Sequence, residues 1–320
     1  MIKSISRKNF LQWGAGFSTF LFLNRYSYAF GLNPTYQEND QMHKRDIILR
    51  TIPSSGEKLP AIGMGTWLTF DAGNSVSRRK DLKEVLRIFS SNGGKLIDSS
   101  PMYGTSEKVT GDLVADLKIK KDLFLATKVW TNGSRNGIEQ MESSFKKMQS
   151  DPMDLMQVHN LMDAATHLPT LRKWKAEGKI RYIGITHYLV SAYPELMQVI
   201  KRERPDFVQF NYNMRVRDAE KVLLPFCQDN GIAVINNRPF DGGTLFDTVK
   251  GKNLPACAKE IGINNWAQFF LKYIISHPTV TCAIPATSKP DHMKENIGAL
   301  SGSLPDPLTR KKMVDVFEKL

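Results

Sequence analysis

Short apolar runs alternate with amphipathic segments along the chain from Ile47 onward. Eight of these runs have the length and composition of buried β-strands: Ala61–Thr66, Lys95–Ile97, Leu123–Thr127, Leu155–Val158, Ile180–Ile185, Phe207–Phe210, Ala233–Ile235 and Thr281–Ile284. Between them, apolar residues recur with the i, i+3, i+4, i+7 spacing of one-sided helices, as in Asp81–Ser91, Ile138–Gln149, Ala164–Glu177, Ala219–Asn230 and Trp266–Ser276. The pattern therefore predicts alternating strands and helices.

Ahead of the first run, Ile47–Ile52 and Glu57–Pro60 flank the turn residues Pro53-Ser54-Ser55-Gly56 and predict a β-hairpin. Eight strands, each followed by a helix, predict an α/β fold: a (β/α)8 TIM barrel with an N-terminal β-hairpin cap, over residues 47–320. An open, doubly wound sheet is the alternative. That fold usually carries G-x-G-x-x-G after its first strand, and Gly63-Met64-Gly65-Thr66-Trp67 lacks the third glycine at that spacing.

The first 29 residues have the layout of a signal peptide. Lys3, Arg7 and Lys8 precede an apolar run, Phe10–Leu23, which is shorter than the roughly 20 residues that span a bilayer. Small residues in Ser27-Tyr28-Ala29 predict cleavage after Ala29. An uncleaved amphipathic anchor is the alternative interpretation. Residues 30–46 are polar and are predicted to form a linker.

The segment Ser6-Arg7-Lys8-Asn9-Phe10-Leu11 resembles the twin-arginine export signal S-R-R-x-F-L, with Lys8 in place of one arginine. The resemblance implies a periplasmic or otherwise exported protein, or a cytoplasmic one if the signal is inactive. After processing, we expect no stable membrane insertion.

The chain is basic: 44 Lys and Arg against 32 Asp and Glu give a net charge of +12. The basic residues are interleaved with acidic ones, and no arginine-rich stripe or zinc finger appears, so we expect an enzyme without a nucleic-acid partner. We also expect a monomer. Cys227, Cys257 and Cys282 form no C-x-x-C pair and are predicted to be packed thiols.

Four residues with ionisable side chains follow neighbouring predicted strands. Asp98 and Tyr103 follow the second strand, Lys128 ends the third and His159 ends the fourth. Each has an ordinary structural explanation on its own: a helix cap, packing, a surface lysine or a hydrogen-bonded histidine. Consecutive barrel strands are neighbours, however, and barrel enzymes carry their sites at these strand ends. The four side chains are therefore predicted to converge.

Together these groups suit proton transfer to a carbonyl oxygen. A phenol has a pKa near ~10 in water, and a neighbouring ammonium favours its ionised form. A carboxylate would keep that ammonium charged, and an imidazole can donate a hydrogen bond to the substrate oxygen.

The chain from about Ile48 to Leu300 resembles the aldo-keto reductase family. The resemblance is carried by five segments in order: Gly63–Trp67, Leu96–Glu107, Gly178–Thr186, Val208–Tyr212 and Ile284–Asn296. It implies a catalytic tetrad of Asp98, Tyr103, Lys128 and His159, with Tyr103 as the proton donor. It also implies hydride transfer between a small carbonyl compound and NADPH, with NADH as the alternative cofactor and no metal.

The same resemblance implies a nucleotide site. The family's nicotinamide-binding Ser-Asn pair and Gln correspond to Thr186, His187 and Gln209, and Asn237 stands where many members have an aromatic ring. Arg238, with the Gly242-Gly243 backbone, is suited to pyrophosphate. The predicted contacts of the adenosine 2′-phosphate and adenine are Thr287, Ser288, Lys289, His292, Glu295 and Asn296; a helix N-terminus favours anions.

Trp67 and Trp130 follow the first and third strands and are predicted to line the substrate pocket. Two rival hypotheses use the same barrel. A cofactor-binding regulatory or partner subunit would need no intact tetrad. A metal-dependent hydrolase would need several His and carboxylate ligands at strand ends, and only His159 and His187 stand there.

Overall fold

Strands and helices in alternation make up most of residues 46–320, the part of the chain that this computed structural model describes. The predicted signal peptide and all of the predicted linker except its last residue lie outside the described residues. Within residues 46–320 there are ten strands: β1 Leu49–Thr51, β2 Lys58–Pro60, β3 Met64–Gly65, β4 Leu96–Asp98, β5 Phe124–Val129, β6 Met153–Val158, β7 Ile180–His187, β8 Phe207–Asn211, β9 Ala233–Asn237 and β10 Val280–Ala283.

Strands β3 to β10 form one parallel sheet in sequence order. The sheet closes on itself through parallel bridges from Ile62 to Ala283 and from Gly65 to Ala286. The predicted (β/α)8 barrel is therefore confirmed, and the doubly wound alternative is wrong, because a doubly wound sheet reverses its strand order and stays open. The first predicted strand is shorter than expected, since β3 pairs with β4 only at Met64 and Gly65.

The predicted hairpin cap is confirmed. Strands β1 and β2 pair antiparallel, and the buried side chains of Ile52 and Leu59 join the apolar cluster inside the barrel. The Tyr182 hydroxyl donates to the Glu57 carboxylate at 2.6 Å and lies 2.7 Å from Ser55 Oγ, which ties the hairpin to β7. The hairpin therefore covers the N-terminal ends of the strands and leaves their C-terminal ends open.

Twelve helices accompany the strands within residues 46–320. They are α1 Val76–Ser91, α2 Ser106–Leu117, α3 Ser134–Met148, α4 Ala164–Ala176, α5 Tyr193–Glu203, α6 Asp218–Lys221, α7 Leu223–Asp229, α8 Thr244–Thr248, α9 Ala256–Lys259, α10 Trp266–Ile275, α11 Pro290–Gly298 and α12 Pro307–Phe317. None of the described helices is long and apolar enough to cross a membrane.

One predicted helix is two. The segment Ala219–Asn230 breaks at Val222, whose backbone (φ −133°, ψ −61°) is not helical, so α6 and α7 are separate. Pro225 accounts for the break, because a proline ring clashes with the carbonyl four residues earlier, here that of Lys221.

Side chains of the strands alternate between two apolar layers. Leu96, Phe124, Leu155 and Phe207 belong to the cluster inside the barrel, whereas their neighbours Ile97, Leu125, Met156 and Val208 pack outward in the main core. The three cysteines are buried and free, as predicted.

Candidate active site

The polar layer of the barrel interior follows from the strand alternation. Asp98 lies two residues after Leu96, and Lys128 lies four after Phe124, so both side chains point inward. By the same count, Gln157 and Gln209 follow the inward-facing Leu155 and Phe207. All four are buried, and they occupy the C-terminal half of the barrel.

Lys128 and Asp98 form an ion pair that is closed to solvent. Lys128 Nζ lies 2.5 Å from Asp98 Oδ2 and donates to the Ser99 carbonyl oxygen at 2.7 Å. Burial acts to lower the pKa of Lys128, but attraction to the Asp98 carboxylate, with hydrogen bonds to Asp98 and Tyr103, outweighs it and leaves that pKa above its usual value. The lysine is therefore held as a cation at the bottom of the site.

The second oxygen of Asp98 is fixed by two amides. Oδ1 accepts from Gln157 Nε2 at 2.8 Å and from Gln209 Nε2 at 3.0 Å. Gly184 makes room for this arrangement, because a Cβ there would lie 2.7 Å from Gln157 Cγ. Sequence reasoning missed Gln157, although its place two residues after Leu155 was a usable signal.

Tyr103 stands over this pair on the loop between β4 and α2. Lys128 Nζ lies 5.1 Å from the centroid of its ring. Burial raises the pKa of Tyr103, and the opposing pull of the Lys128 ammonium does not cancel that rise. The phenol is therefore protonated in the free protein, whereas the sequence had predicted a lowered pKa from the ammonium alone; that expectation omitted burial.

His159 completes the group at the end of β6. Its ring meets the Tyr103 ring edge-on, with centroids 5.8 Å apart. Burial, followed by the Lys128 and His187 charges, lowers the pKa of His159 to about 2, so the imidazole is neutral. Ser100 Oγ lies 3.0 Å from His159 Nδ1, a contact that sequence reasoning did not find.

These side chains border a cavity of about 560 Å³ at the open end of the barrel. Asp98, Tyr103 and His159 line it, together with Trp67, which is 46% exposed. Trp130 is not among the lining residues: its ring centroid lies 6.4 Å from that of His159. The Gln140 side chain holds the Trp130 backbone at both its N–H and its carbonyl.

Most of the predicted nicotinamide and pyrophosphate residues line the same cavity. Thr186, Gln209 and Arg238 line it, with Gly242 and Gly243. The Thr186 hydroxyl accepts from the Asn160 N–H at 3.1 Å, so its own proton is free to be donated.

His187 differs from the other predicted nicotinamide contacts in its position. It stacks on Tyr188, with ring centroids 5.8 Å apart, and does not line the cavity. Asn237 lines the cavity, and its Nδ2 lies 3.4 Å from Gln209 Oε1.

The predicted adenosine contacts lie beyond β10, outside the cavity lining. Thr287, Ser288 and Lys289 lead into α11, and Lys289 is the residue that precedes its first turn. His292 and Glu295 are exposed on this helix, and Asn296 is buried. Ala286, the residue before Thr287, does line the cavity, so these predicted adenosine contacts continue directly from it.

Among residues 46–320, no group of three His, Cys, Asp or Glu side chains is placed to hold a metal ion.

Comparisons with known proteins agree on one family. The model of the aldo/keto reductase family matches residues 61–309. Methylglyoxal reductase YeaE of Escherichia coli (strain K12) is 31% identical over 264 residues, which cover 80% of this chain and 90% of that protein. The NADH-specific methylglyoxal reductase of the same strain is 25% identical over 318 residues, 82% of this chain and 96% of that one. A solved aldo-keto reductase from Klebsiella pneumoniae in complex with NADPH superposes with a TM-score of 0.68 at 25% identity, over 85% of this chain and 96% of that one.

Proposed function

The chain belongs to the aldo/keto reductase family, and on that premise we propose that it reduces a small carbonyl compound with NADPH, using Tyr103 as the proton donor. Family membership makes it an oxidoreductase that interconverts carbonyls and alcohols. The observation that carries the finer proposal is the meeting of Tyr103, His159 and the buried Lys128–Asp98 pair at one cavity.

The proton path uses groups of this chain alone. As the carbonyl oxygen gains negative charge, the protonated Tyr103 phenol gives it a proton, and the neutral His159 donates a hydrogen bond to it. The resulting phenolate is stabilised by the Lys128 ammonium, which Asp98 holds in place. In the alcohol-to-carbonyl direction the phenolate takes the proton back.

The residues around the cavity fit a nicotinamide nucleotide, which supplies or accepts the hydride when bound. The free Thr186 proton and the Gln209 amide oxygen suit the carboxamide. Arg238 Nε is buried without a hydrogen-bond partner among the described residues, and a Cβ at Gly243 would meet only open space. A guanidinium with an unpartnered N–H, beside a glycine turn that leaves room for an anion, suits pyrophosphate.

For the 2′-phosphate of NADPH we propose Lys289 and His292, with the Thr287 and Ser288 hydroxyls, at the N-terminal end of α11. Glu295 and Asn296 on the same helix are the proposed adenine contacts. The Klebsiella pneumoniae relative is a complex with NADPH, and NADH is the alternative because one relative is named NADH-specific. For His187 we propose a position near the nicotinamide and no further role.

Trp67, which lines the cavity together with Tyr103, is the proposed substrate contact; Trp130 lies outside the lining, beside His159. Because relatives are named for methylglyoxal, methylglyoxal is the first small carbonyl to try, with an aromatic aldehyde as the second.

Replacing Tyr103 with Phe tests the proposal. We expect kcat for NADPH-dependent reduction to fall by about 10²–10⁴-fold, the usual contribution of a general acid, while NADPH affinity measured by fluorescence titration stays unchanged. Tyr182→Phe is the matched control, since it removes a tyrosine hydroxyl at the hairpin end of the barrel. Full kcat in Tyr103→Phe overturns the assignment. Tight NADPH binding without turnover in the wild type favours the regulatory-subunit alternative.

We propose that residues 1–29 export the protein and that residues 47–320 are the mature barrel behind a linker, residues 30–46. The support is the sequence of the first 29 residues. Cell fractionation with mass measurement of the recovered chain tests it, with Arg7→Ala/Lys8→Ala as the export-defective control and Lys8→Arg as the improved signal. A cytoplasmic protein that keeps residues 1–29 in all three forms contradicts it.

A further inference from the structure

The Ser100 side chain touches both the loop of Tyr103 and the ring of His159. It is fully buried after β4. Its Oγ lies 3.0 Å from His159 Nδ1 and accepts from the Met102 N–H at 3.3 Å, and its carbonyl oxygen accepts from the Tyr103 N–H at 3.0 Å. The residue therefore joins the proton donor's loop to the imidazole.

The direction of the contact with His159 follows from counting hydrogens. A serine hydroxyl has one hydrogen to donate and can accept two. One acceptor position of Ser100 is taken by Met102. If Nδ1 carried the proton, Ser100 would accept a second time and its own buried hydrogen would have no acceptor, because residues 46–320 supply no further partner.

Buried donors are rarely left unpaired, since an unpaired one costs about 1–3 kcal/mol. The pairing that satisfies every group has Ser100 donating to Nδ1. Because the ring is neutral, its single proton then sits on Nε2. His159 lines the cavity, and Nε2 is the nitrogen that Ser100 leaves free.

We propose that Ser100 is a positioning residue that fixes His159 as the Nε2–H tautomer and so aims a hydrogen-bond donor at the substrate oxygen. The other tautomer would present a bare nitrogen lone pair to that oxygen and repel it. Ser100 itself touches no reacting atom. The kinetic part of this inference rests on the proposed function; the tautomer itself does not.

Nitrogen NMR of the free protein with ¹⁵N-labelled histidine is the primary test, with His159→Gln used to assign the signal. We expect the wild type to show a protonated Nε2 and an unprotonated, hydrogen-bonded Nδ1. In Ser100→Ala, Nδ1 loses its hydrogen bond and the ring can exchange between its two tautomers. We therefore expect the chemical shifts of both nitrogens to move towards the averaged values of a tautomer mixture. Ser100→Thr keeps the hydroxyl and should keep the wild-type shifts. A proton on Nδ1 in the wild type overturns the inference, whether or not the variants fold.

Kinetics supply the second arm. We expect Ser100→Ala to lower kcat by roughly 3- to 10-fold, the range that one neutral hydrogen bond controls, with KM for NADPH unchanged and with recovery in Ser100→Thr. Ser150→Ala is the matched control: it removes a buried serine hydroxyl that bonds to Pro152 O before β6, at the opposite end of the barrel.

An unchanged kcat and an unchanged NMR pattern in Ser100→Ala also contradict the inference. If the wild type reduces no carbonyl at all, the proposed function fails, and the NMR result still decides the role of Ser100.

Discussion

Replacing Lys128 with Met removes a buried charge from the centre of the site while keeping a chain of similar length. The ammonium now contacts Asp98 Oδ2 at 2.5 Å and the Ser99 carbonyl at 2.7 Å, and it faces the Tyr103 ring from 5.1 Å. Methionine can replace none of these contacts. The substitution therefore has two separate consequences, one for the phenol and one for the carboxylate.

The effect on the phenol can be estimated from the charge separation. Lys128 Nζ lies 5.1 Å from the centroid of the Tyr103 ring. At that separation and an effective dielectric constant of about 20, the ammonium stabilises a phenolate by roughly 3 kcal/mol. One factor of ten in acidity corresponds to about 1.4 kcal/mol, so Tyr103 becomes roughly 10²-fold weaker as an acid. We expect kcat for carbonyl reduction to fall by about that factor, with NADPH affinity unchanged.

The effect on stability comes from Asp98. A buried charge that loses its partner costs about 3–5 kcal/mol, and we expect the lower end because Gln157 and Gln209 still donate to Oδ1. Adding Asp98→Asn removes the unpaired charge and should restore most of the free energy of unfolding. It cannot restore kcat, since Tyr103 still lacks its cation.

The test compares the wild type, Lys128→Met and Lys128→Met/Asp98→Asn by denaturant unfolding and by steady-state kinetics. Unfolding reports the role of Lys128 in stability, and kcat reports its role in proton transfer. The double variant should be stable and slow. A double variant that regains wild-type kcat shows that Lys128 acts only through the fold, and Lys128→Met with full kcat shows that the phenol needs no cation. Either result refutes the proton path.

Three further predictions use other parts of the molecule. Burial raises the pKa of Tyr103, so the phenol keeps its proton at neutral pH. We therefore expect kcat for carbonyl reduction to stay constant with pH from neutrality towards about pH 10, the ordinary pKa of tyrosine. A fall in kcat centred near neutral pH would contradict this. Lys289→Ala should weaken NADPH about tenfold in a binding titration and leave NADH unchanged, since the 2′-phosphate is the charge that differs; equal losses remove Lys289 from that role. Arg310→Met should lower the free energy of unfolding by about 3–5 kcal/mol, because the Arg310 guanidinium is largely buried and lies 2.6 Å from the Glu220 carboxylate. Lys311→Met, at an exposed ion pair next to it, is the control and should cost less than about 1 kcal/mol. Similar losses in the two variants would contradict this.

The barrel was predictable because its strands are short apolar runs with turn residues between them. Seven of the eight predicted strands agree with the structure to within two residues at each end. The exception, Ala61–Thr66, is a strand only at Met64–Gly65, with Ile62 joined to Ala283 by an isolated bridge. The convergence of Asp98, Lys128 and His159 followed from the same topology, because neighbouring parallel strands end at one side of a sheet.

What the sequence did not reveal depends on contacts between distant residues. Ser100 and His159 are 59 positions apart, as are Asp98 and Gln157, and no local pattern marks either pair. The net rise in the pKa of Tyr103 likewise required knowing how deeply the loop after β4 is covered. The two hydrogen bonds by which the Gln140 side chain holds the Trp130 backbone were also not visible in the strand pattern.

The side chains inside the barrel are apolar at the hairpin end and polar at the open end. At the hairpin end, Phe124, Tyr182 and Phe207 pack on one another beneath Ile52 and Leu59. At the open end the same strands carry the Lys128–Asp98 pair and its two glutamines. Because a buried ion pair is often no more stabilising than apolar residues of similar size, the fold has no need of charge at this level. A polar layer at the end that borders the cavity is therefore best explained by the reaction proposed for this site.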